Sequence, residues 1–434
     1  MLFRALKLQS WRQFNSVDIV FHRHMTILTG ANGAGKTTIL NILSRYFGWP
    51  AQVVGSRRIT RDSAQYSSDT WSASRRDKFK ALLDLSDDDL DKLLESDDFP
   101  EDDSPNVNTE IGSIEYDNGT AAQLGVPANI GSIYQLNIAN QQPVDGLHIP
   151  SHRPIYSYQP VASIPTTTKR LGQAHSEYVN LVRMRYLGAH HPHTPNHYLK
   201  ETLLGFAVFG EGNKYVAKDN YAKETFIQFQ NMLRKVLPRS IGFRRLLIRV
   251  PEVILLTKTG EISLDAVSGG LASLIDISWQ IFSFADKGSA FVVTFDEPEN
   301  HLHPELQRNV LPNLISAFPD VQFIVATHNP FVIGSVPESN VYAFRYDEHN
   351  RVYAEFLSAA NRSGTANEIL REVLGLDSTS PMWVEQRING ILTRLAERAI
   401  DDSLAEVLRR ELEQAGLANQ MPSILAELLR RRRP

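Results

Sequence analysis

The segment Gly30-Ala31-Asn32-Gly33-Ala34-Gly35-Lys36-Thr37-Thr38 constrains this chain more than any other stretch of it. It fits the glycine-rich phosphate-binding loop in full, a loop that works between a buried strand and the first turn of a helix. Both neighbours are legible. Met25–Thr29 reads as an apolar strand, and an apolar helix is predicted from about Gly35 to Phe47. Glycines at 30, 33 and 35 let the backbone curl, so that peptide N–H groups, those around Asn32 included, point at phosphate oxygens. The helix dipole adds positive potential at the same place. Lys36 is expected to bridge β- and γ-phosphates, Thr37 to ligate Mg²⁺, and Thr38 to complete the binding set.

Three further segments gain meaning beside that loop. Phe291-Val292-Val293-Thr294-Phe295-Asp296-Glu297 is an apolar strand ending in two acids. Alone the pattern is common. Next to a phosphate loop, Asp296 would hold the Mg²⁺ shell and Glu297 would polarise the attacking water. Val267-Ser268-Gly269-Gly270 heads an apolar helix, Leu271 to about Phe284, and reads either as an ordinary serine N-cap or as an anion site. Thr327-His328-Asn329-Pro330 follows the strand Phe323–Ala326, at a carboxyl end where α/β sheets bind ligands. His328 would hydrogen-bond a γ-phosphate and sense its loss; the plainer reading is a loop histidine.

The chain has 434 residues, 42% apolar and 22% charged, which suits a globular fold. A net charge of −4 argues against a uniformly basic nucleic-acid-coating protein and leaves room for a local basic face. The lack of cysteine excludes disulfides, thiolate zinc sites and cysteine nucleophiles, and fits a reducing compartment. No apolar run approaches the roughly 20 residues that span a bilayer. Met1–Trp11 alternates like a strand rather than running like a signal peptide, so a soluble cytoplasmic protein without a membrane partner is expected. Periodicity predicts further strands at Leu2–Gln9 and Val17–Phe21, hairpins within Val253–Leu264 and Asn340–Phe356, helices at Tyr221–Val236 and Pro304–Phe318, and a helical tail from about Thr365.

The order of phosphate loop, Ser-Gly-Gly, Asp-Glu strand and His loop resembles that of ABC-type ATPases. The wording Asp296-Glu297-Pro298-Glu299-Asn300-His301-Leu302-His303-Pro304, followed by Thr327-His328-Asn329-Pro330, is similar to the branch shared by OLD-family ATPases, RecF and SMC heads. In style it looks like standalone bacterial anti-phage defence ATPases of the Septu (PtuA) and PARIS (AriA) kind. The motifs cover the head alone, Met1–Pro50 and about Arg245–Arg345. The resemblance implies an α/β, ABC-type P-loop ATPase head of mixed sheet and flanking helices, split between residues 1–50 and 245–356. It leaves 51–244 as a large α+β insertion, β-rich then helical, and 357–434 as a helical C-terminal region.

The resemblance also implies a reaction. Two heads would sandwich two ATP molecules and hydrolyse them with Mg²⁺. Each site would use Lys36, Thr37, Asp296, Glu297 and His328 of one chain and Ser268, Gly269 and Gly270 of the other, with Glu299 and Asn300 in the linking segment. The family's magnesium-contacting glutamine would be Gln135, Gln142 or Gln159, of which Gln159 is preferred. Trp11 or Phe14 would pack near the adenine or, equally, in the core. The implied function is a homodimeric or larger switch in anti-phage defence that controls a separate effector such as a nuclease. The alternative is a RecF/SMC-like ATPase that binds DNA in repair or maintenance. No Asp-x-Asp follows His328, so the Toprim nuclease of OLD enzymes is not expected, and no sustained heptad run suggests an SMC coiled coil.

Other patches read more plainly. His190-His191-Pro192-His193-Thr194-Pro195-Asn196-His197 is an exposed polar loop before it is a metal site or a nucleic-acid contact. The acidic run at 84–103 reads as a solvated edge before a dock for a basic partner, and Lys169, Arg170, Arg183, Arg185 and Arg430–Arg433 as solvated faces before phosphate contacts.

Overall fold

A computed structural model describes residues 1–50, 52–59, 64–68, 109–127, 130–164, 166–285, 288–358, 364–376, 378, 380–395, 402–418, 421 and 424. The acidic run at 84–103 and Arg430–Arg433 lie outside the described residues. Two compact units appear, Met1–Leu374 and Gly375–Pro434.

The first unit is organised by one sheet of eleven strands. In chain order these are β1 (Phe3–Trp11), β2 (Phe14–Val20), β3 (Met25–Gly30), β4 (Thr109–Tyr116), β5 (Ala121–Val126), β6 (Asn137–Ala139), β7 (Gly146–Ile149), β8 (Phe291–Asp296), β9 (Val321–Ala326), β10 (Asn340–Tyr346) and β11 (Val352–Phe356). Across the sheet the order is β6-β5-β4-β1-β2-β11-β10-β3-β9-β8-β7. The half from β10 through β3, β9 and β8 to β7 is parallel, and β1, β2, β4, β5 and β6 pair antiparallel. This is the mixed α/β sheet expected from the motifs. Strands β4 to β7, all from the 51–244 segment, are hydrogen-bonded into it.

Both faces of the parallel half are covered, which is why its strands are mostly apolar and buried on both sides. Phe291, Val293 and Phe295 of β8 and Phe323 and Val325 of β9 join one core cluster. Val292, Ile324 and Ala326 point the other way into a second. The flanking helices are α1 (Lys36–Ser44), α2 (Leu171–Tyr186), α3 (Pro195–Glu211), α4 (Asn220–Val236), α5 (Gly269–Phe284), α6 (Pro304–Ala317) and the short α7 (Pro330–Ile333). Their starts follow local chemistry. Asp219 caps α4 by accepting from Ala222 N–H at 3.3 Å, and α6 begins on Pro304, whose fixed φ suits a first turn. A separate three-stranded sheet, Arg245–Arg249, Glu252–Thr257 and Gly260–Ser263, precedes α5.

The second unit holds α8 (Met382–Leu395) and α9 (Asp402–Gln414) around a small core that includes Val384, Ile391, Leu395, Leu408 and Leu412. Among the described residues no helix is long and apolar enough to cross a membrane.

Candidate functional site

Strands β3, β9 and β8 lie side by side and parallel, so their carboxyl ends open along one edge. The phosphate loop leaves β3 there. Gly30 has φ +131, and a Cβ at that position would sit 2.5 Å from the Phe344 carbonyl oxygen. Gly35 has φ +90, and its Cβ would lie 2.3 Å from Phe14 Cζ. Only glycine fits at either place. Gly35 is also the N-cap of α1, and no side chain caps this helix. Its first-turn N–H groups are therefore free to take an anion. Asn32 and Gly33 are exposed at the loop's tip, and Thr38 lines a small cleft beside Arg12 and Asn41.

Lys36 is buried, with its ammonium donating to the carbonyls of Gly30 and Ala31, both at 2.9 Å. Burial lowers its pKa, against the opposing pull of Asp296, Glu297 and Glu299. Thr37 Oγ1 donates to Asp296 Oδ2 at 3.1 Å. Burial pushes the Asp296 carboxyl up to about 6; Thr37, Lys36 and Arg153 only partly offset it, and neighbouring Glu297 adds to it. A cation beside Asp296 would keep it ionised. A hydroxyl and a carboxylate at this separation are the hard oxygen donors that Mg²⁺ takes alongside substrate phosphates, so these residues fit the ion.

Glu297 follows directly. Its N–H donates to Ala326 carbonyl at 2.8 Å, carrying the β8–β9 ladder one step past the strand. Its φ is +49, a left-handed value that costs a side-chain-bearing residue roughly 1–2 kcal/mol. The carboxylate is gripped on both oxygens: Asn300 Nδ2 donates to Oε2 at 2.8 Å, and His328 Nδ1 lies 3.3 Å from Oε1. The His328 loop is fixed by Thr327, whose N–H bonds Leu28 carbonyl at 3.0 Å and whose hydroxyl donates to buried Glu299. Burial, above all, raises the Glu299 pKa. Asn329 then caps α7, accepting from Phe331 N–H at 2.8 Å.

The structure thus brings Lys36, Thr37, Asp296, Glu297 and His328 to one edge. Ser268 is exposed at the N-cap of α5 with no capping bond from its own hydroxyl. Gly269 is exposed, and a Cβ on Gly270 would lie 2.9 Å from His301 carbonyl oxygen, so the start of α5 abuts the turn after Glu297. Gln159 is engaged elsewhere: its amide nitrogen donates to Pro192 carbonyl at 2.9 Å, and its oxygen accepts from Thr194 N–H and hydroxyl. Gln142 bonds Asn140 carbonyl in an exposed turn, and Gln135 is exposed. Trp11 and Phe14 are core residues without solvent exposure.

Arg153 escaped the sequence reading. It is buried and donates to the Glu297 carbonyl at 2.6 Å and to the Asn300 carbonyl at 3.3 Å. The available signal was a lone arginine a few residues past the short stretch Leu147-His148-Ile149. Burial lowers its pKa to about 10, against the pull of Asp276, Glu299, Glu297 and Asp296.

The remaining patches have local partners. Lys169 pairs with Glu177 and Glu201, Arg183 bonds Gly48 carbonyl, and Arg185 bonds the carbonyls of His191 and His193. His193 and His197 stack at 4.2 Å. Among the described residues no group of three or more His, Asp or Glu is placed to hold a metal.

Residues 156–334 match the family model described as "AAA domain, putative AbiEii toxin, Type IV TA system", and residues 5–100 match one described as "AAA domain". The Septu protein PtuA of Bacillus thuringiensis is 30% identical over 165 residues, 35% of this chain and 42% of that protein. The Retron Ec83 probable ATPase of Escherichia coli is 39% identical over 54 residues, 12% of this chain and 10% of that protein. The chain therefore spans less than half the length of these curated relatives. Among solved structures, an SMC head bound to the C-winged helix domain of ScpA aligns with a TM-score of 0.42 at 16% identity, covering 82% of this chain and 98% of that one. In fold this chain is a mixed α/β sheet with the glycine-rich phosphate loop leaving its central parallel strands, and in sequence it is related, over part of its length, to the Septu protein PtuA and to the retron probable ATPase.

Proposed function

We propose that this protein binds Mg-ATP at loop 30–38 and hydrolyses it, working as a dimeric switch in bacterial anti-phage defence that holds and releases a separate effector such as a nuclease. One observation carries the reading: Thr37 meets Asp296 at 3.1 Å while the next residue, Glu297, meets His328 at 3.3 Å. Three chain segments far apart in sequence supply these four groups to the same edge of the sheet.

The loop N–H groups and the start of α1 would take the phosphate oxygens, with Lys36 turning from its loop carbonyls to the β- and γ-phosphates. Magnesium, when bound, would neutralise phosphate charge, and Thr37 and Asp296 are the residues that would hold it. Glu297 would accept the proton of the attacking water, and His328, against the same carboxylate, would respond to the γ-phosphate. Ser268, Gly269 and Gly270 would contact the triphosphate held by a second copy. The names of the Septu and retron relatives support a place in anti-phage defence.

The test is ATP binding and phosphate release measured side by side for wild type, Lys36→Ala and Glu297→Gln. Glu297→Gln should bind ATP normally and lose about 10²–10⁴-fold in kcat. Lys36→Ala should lose both binding and turnover. A wild type that releases no phosphate, or a Glu297→Gln variant as fast as wild type, rules the reading out. In cells, full phage protection by Glu297→Gln would count against a hydrolysis-dependent switch.

A further inference from the structure

The turn that carries Glu297 is tied down by a segment that no motif marks. β7 ends at Ile149, paired with Phe295 of β8, and the chain then runs through Ser151 to Arg153 alongside the turn. The Arg153 guanidinium lies 5.1 Å over the Phe295 ring. One of its terminal nitrogens donates to the Glu297 carbonyl at 2.6 Å and the other to the Asn300 carbonyl at 3.3 Å. Asn300 closes the arrangement. Its amide nitrogen is 3.2 Å from the Ser151 carbonyl and 2.8 Å from Glu297 Oε2. One planar fork thus spans the first and last residues of the turn, and one amide reaches back to the carboxylate.

The turn needs such a hold. Glu297 sits at φ +49, which a residue with a side chain leaves unless its surroundings over-determine it. The same backbone twist decides the direction in which the carboxylate leaves the strand. Asn300 then fixes one carboxylate oxygen and leaves the other facing His328 at 3.3 Å.

We propose that Arg153 and Asn300 are positioning residues that act as one clamp on Glu297, Arg153 by holding its left-handed backbone and Asn300 by holding its side-chain rotamer. This rests on the reading of Glu297 as the group that activates water. Both act through Glu297.

The experiment uses the full chain carrying Arg153→Lys, which keeps the charge but not the fork, and Asn300→Ala, which deletes both amide bonds from a half-buried position. Turnover, KM, ATP affinity and melting temperature are measured for each. A small displacement of a catalytic group costs up to about 10²-fold, so kcat should fall roughly 10–100-fold with KM and ATP affinity nearly unchanged. Added to Glu297→Gln, each change should cause no further loss in single-turnover hydrolysis, because the group it positions is already gone. If Arg153→Lys does not fold, Asn300→Ala decides alone. Unchanged kcat, a parallel loss of ATP binding, or a full additional loss on top of Glu297→Gln overturns the clamp. A wild type that binds ATP without hydrolysing it sinks the function proposed above; an active wild type with active variants sinks only this inference.

Discussion

Asp276 in α5 carries a charge with no solvent to share it. It is fully buried, accepts from Tyr178 hydroxyl at 2.5 Å and from Gln280 at 3.0 Å, and burial still lifts its pKa to about 6 from 3.8. The folded pKa lies above the unfolded one. The group's stabilising contribution is therefore full below pH 3.8 and is lost as pH rises through about 6. Asp276→Asn removes that titration. The new carbonyl can still accept from Tyr178, and Gln280 can turn its buried, unpartnered oxygen toward the new amide. The variant should gain roughly 1–3 kcal/mol over wild type at pH 7. The gain should narrow by pH 5 and close near pH 4 in thermal melts; a gain constant with pH would refute the burial argument. At this scale the sequence is legible where chemistry comes with a fixed spacing. Lys36 and Thr37 stand at set offsets from Gly30, and Asp296 and Glu297 end an apolar run. Arg153 was not legible, because its acceptor is a backbone carbonyl, which any residue type supplies.

Among elements, the junction of β3 and α1 is the least tolerant. Gly35→Ala places a methyl 2.3 Å from the Phe14 ring on top of a φ of +90. Gly119, in the turn between β4 and β5, has φ +83 with nothing within 4 Å of its Cβ, so Gly119→Ala isolates the backbone term. Gly119→Ala should cost about 1 kcal/mol. Gly35→Ala should cost several times that, because overpacking adds to it, and should abolish ATP binding; both are read by denaturant melts and a binding titration. Equal costs would mean the Phe14 contact relaxes freely. The strands and helices flanking the motifs were readable because each is apolar through its length or at helical spacing. The partners of β4 were not. Ile111, Ile114 and Tyr116 face the core from β4, but pattern alone does not say that β1 lies beside it. Register against a distant strand is set by tertiary packing, which local periodicity does not encode.

For the whole molecule, the proposed dimer is tested at the exposed Ser268. Ser268→Glu should leave stability within about 0.5 kcal/mol, since the residue is exposed and caps nothing with its side chain. If the head-to-head dimer proposed above forms, a carboxylate there would face the other copy's triphosphate and should nevertheless prevent ATP-driven dimerisation. Light scattering of Glu297→Gln with and without Ser268→Glu, in the presence of ATP, checks this. An unaffected dimer would show that the start of α5 does not meet the triphosphate of another copy.

Strand β3 is finished on both sides by late arrivals, with Phe323 opposite Met25 and Asn340 opposite Thr26. On the ribosome, the strand that carries the phosphate loop must wait for both neighbours, about 15–60 s at ordinary elongation rates. Throughout that interval its two backbone edges lack the neighbours they pair with in the finished sheet. A half-made chain therefore has no nucleotide pocket, and whatever shields it during translation must bind hydrophobic strand rather than recognise a finished head.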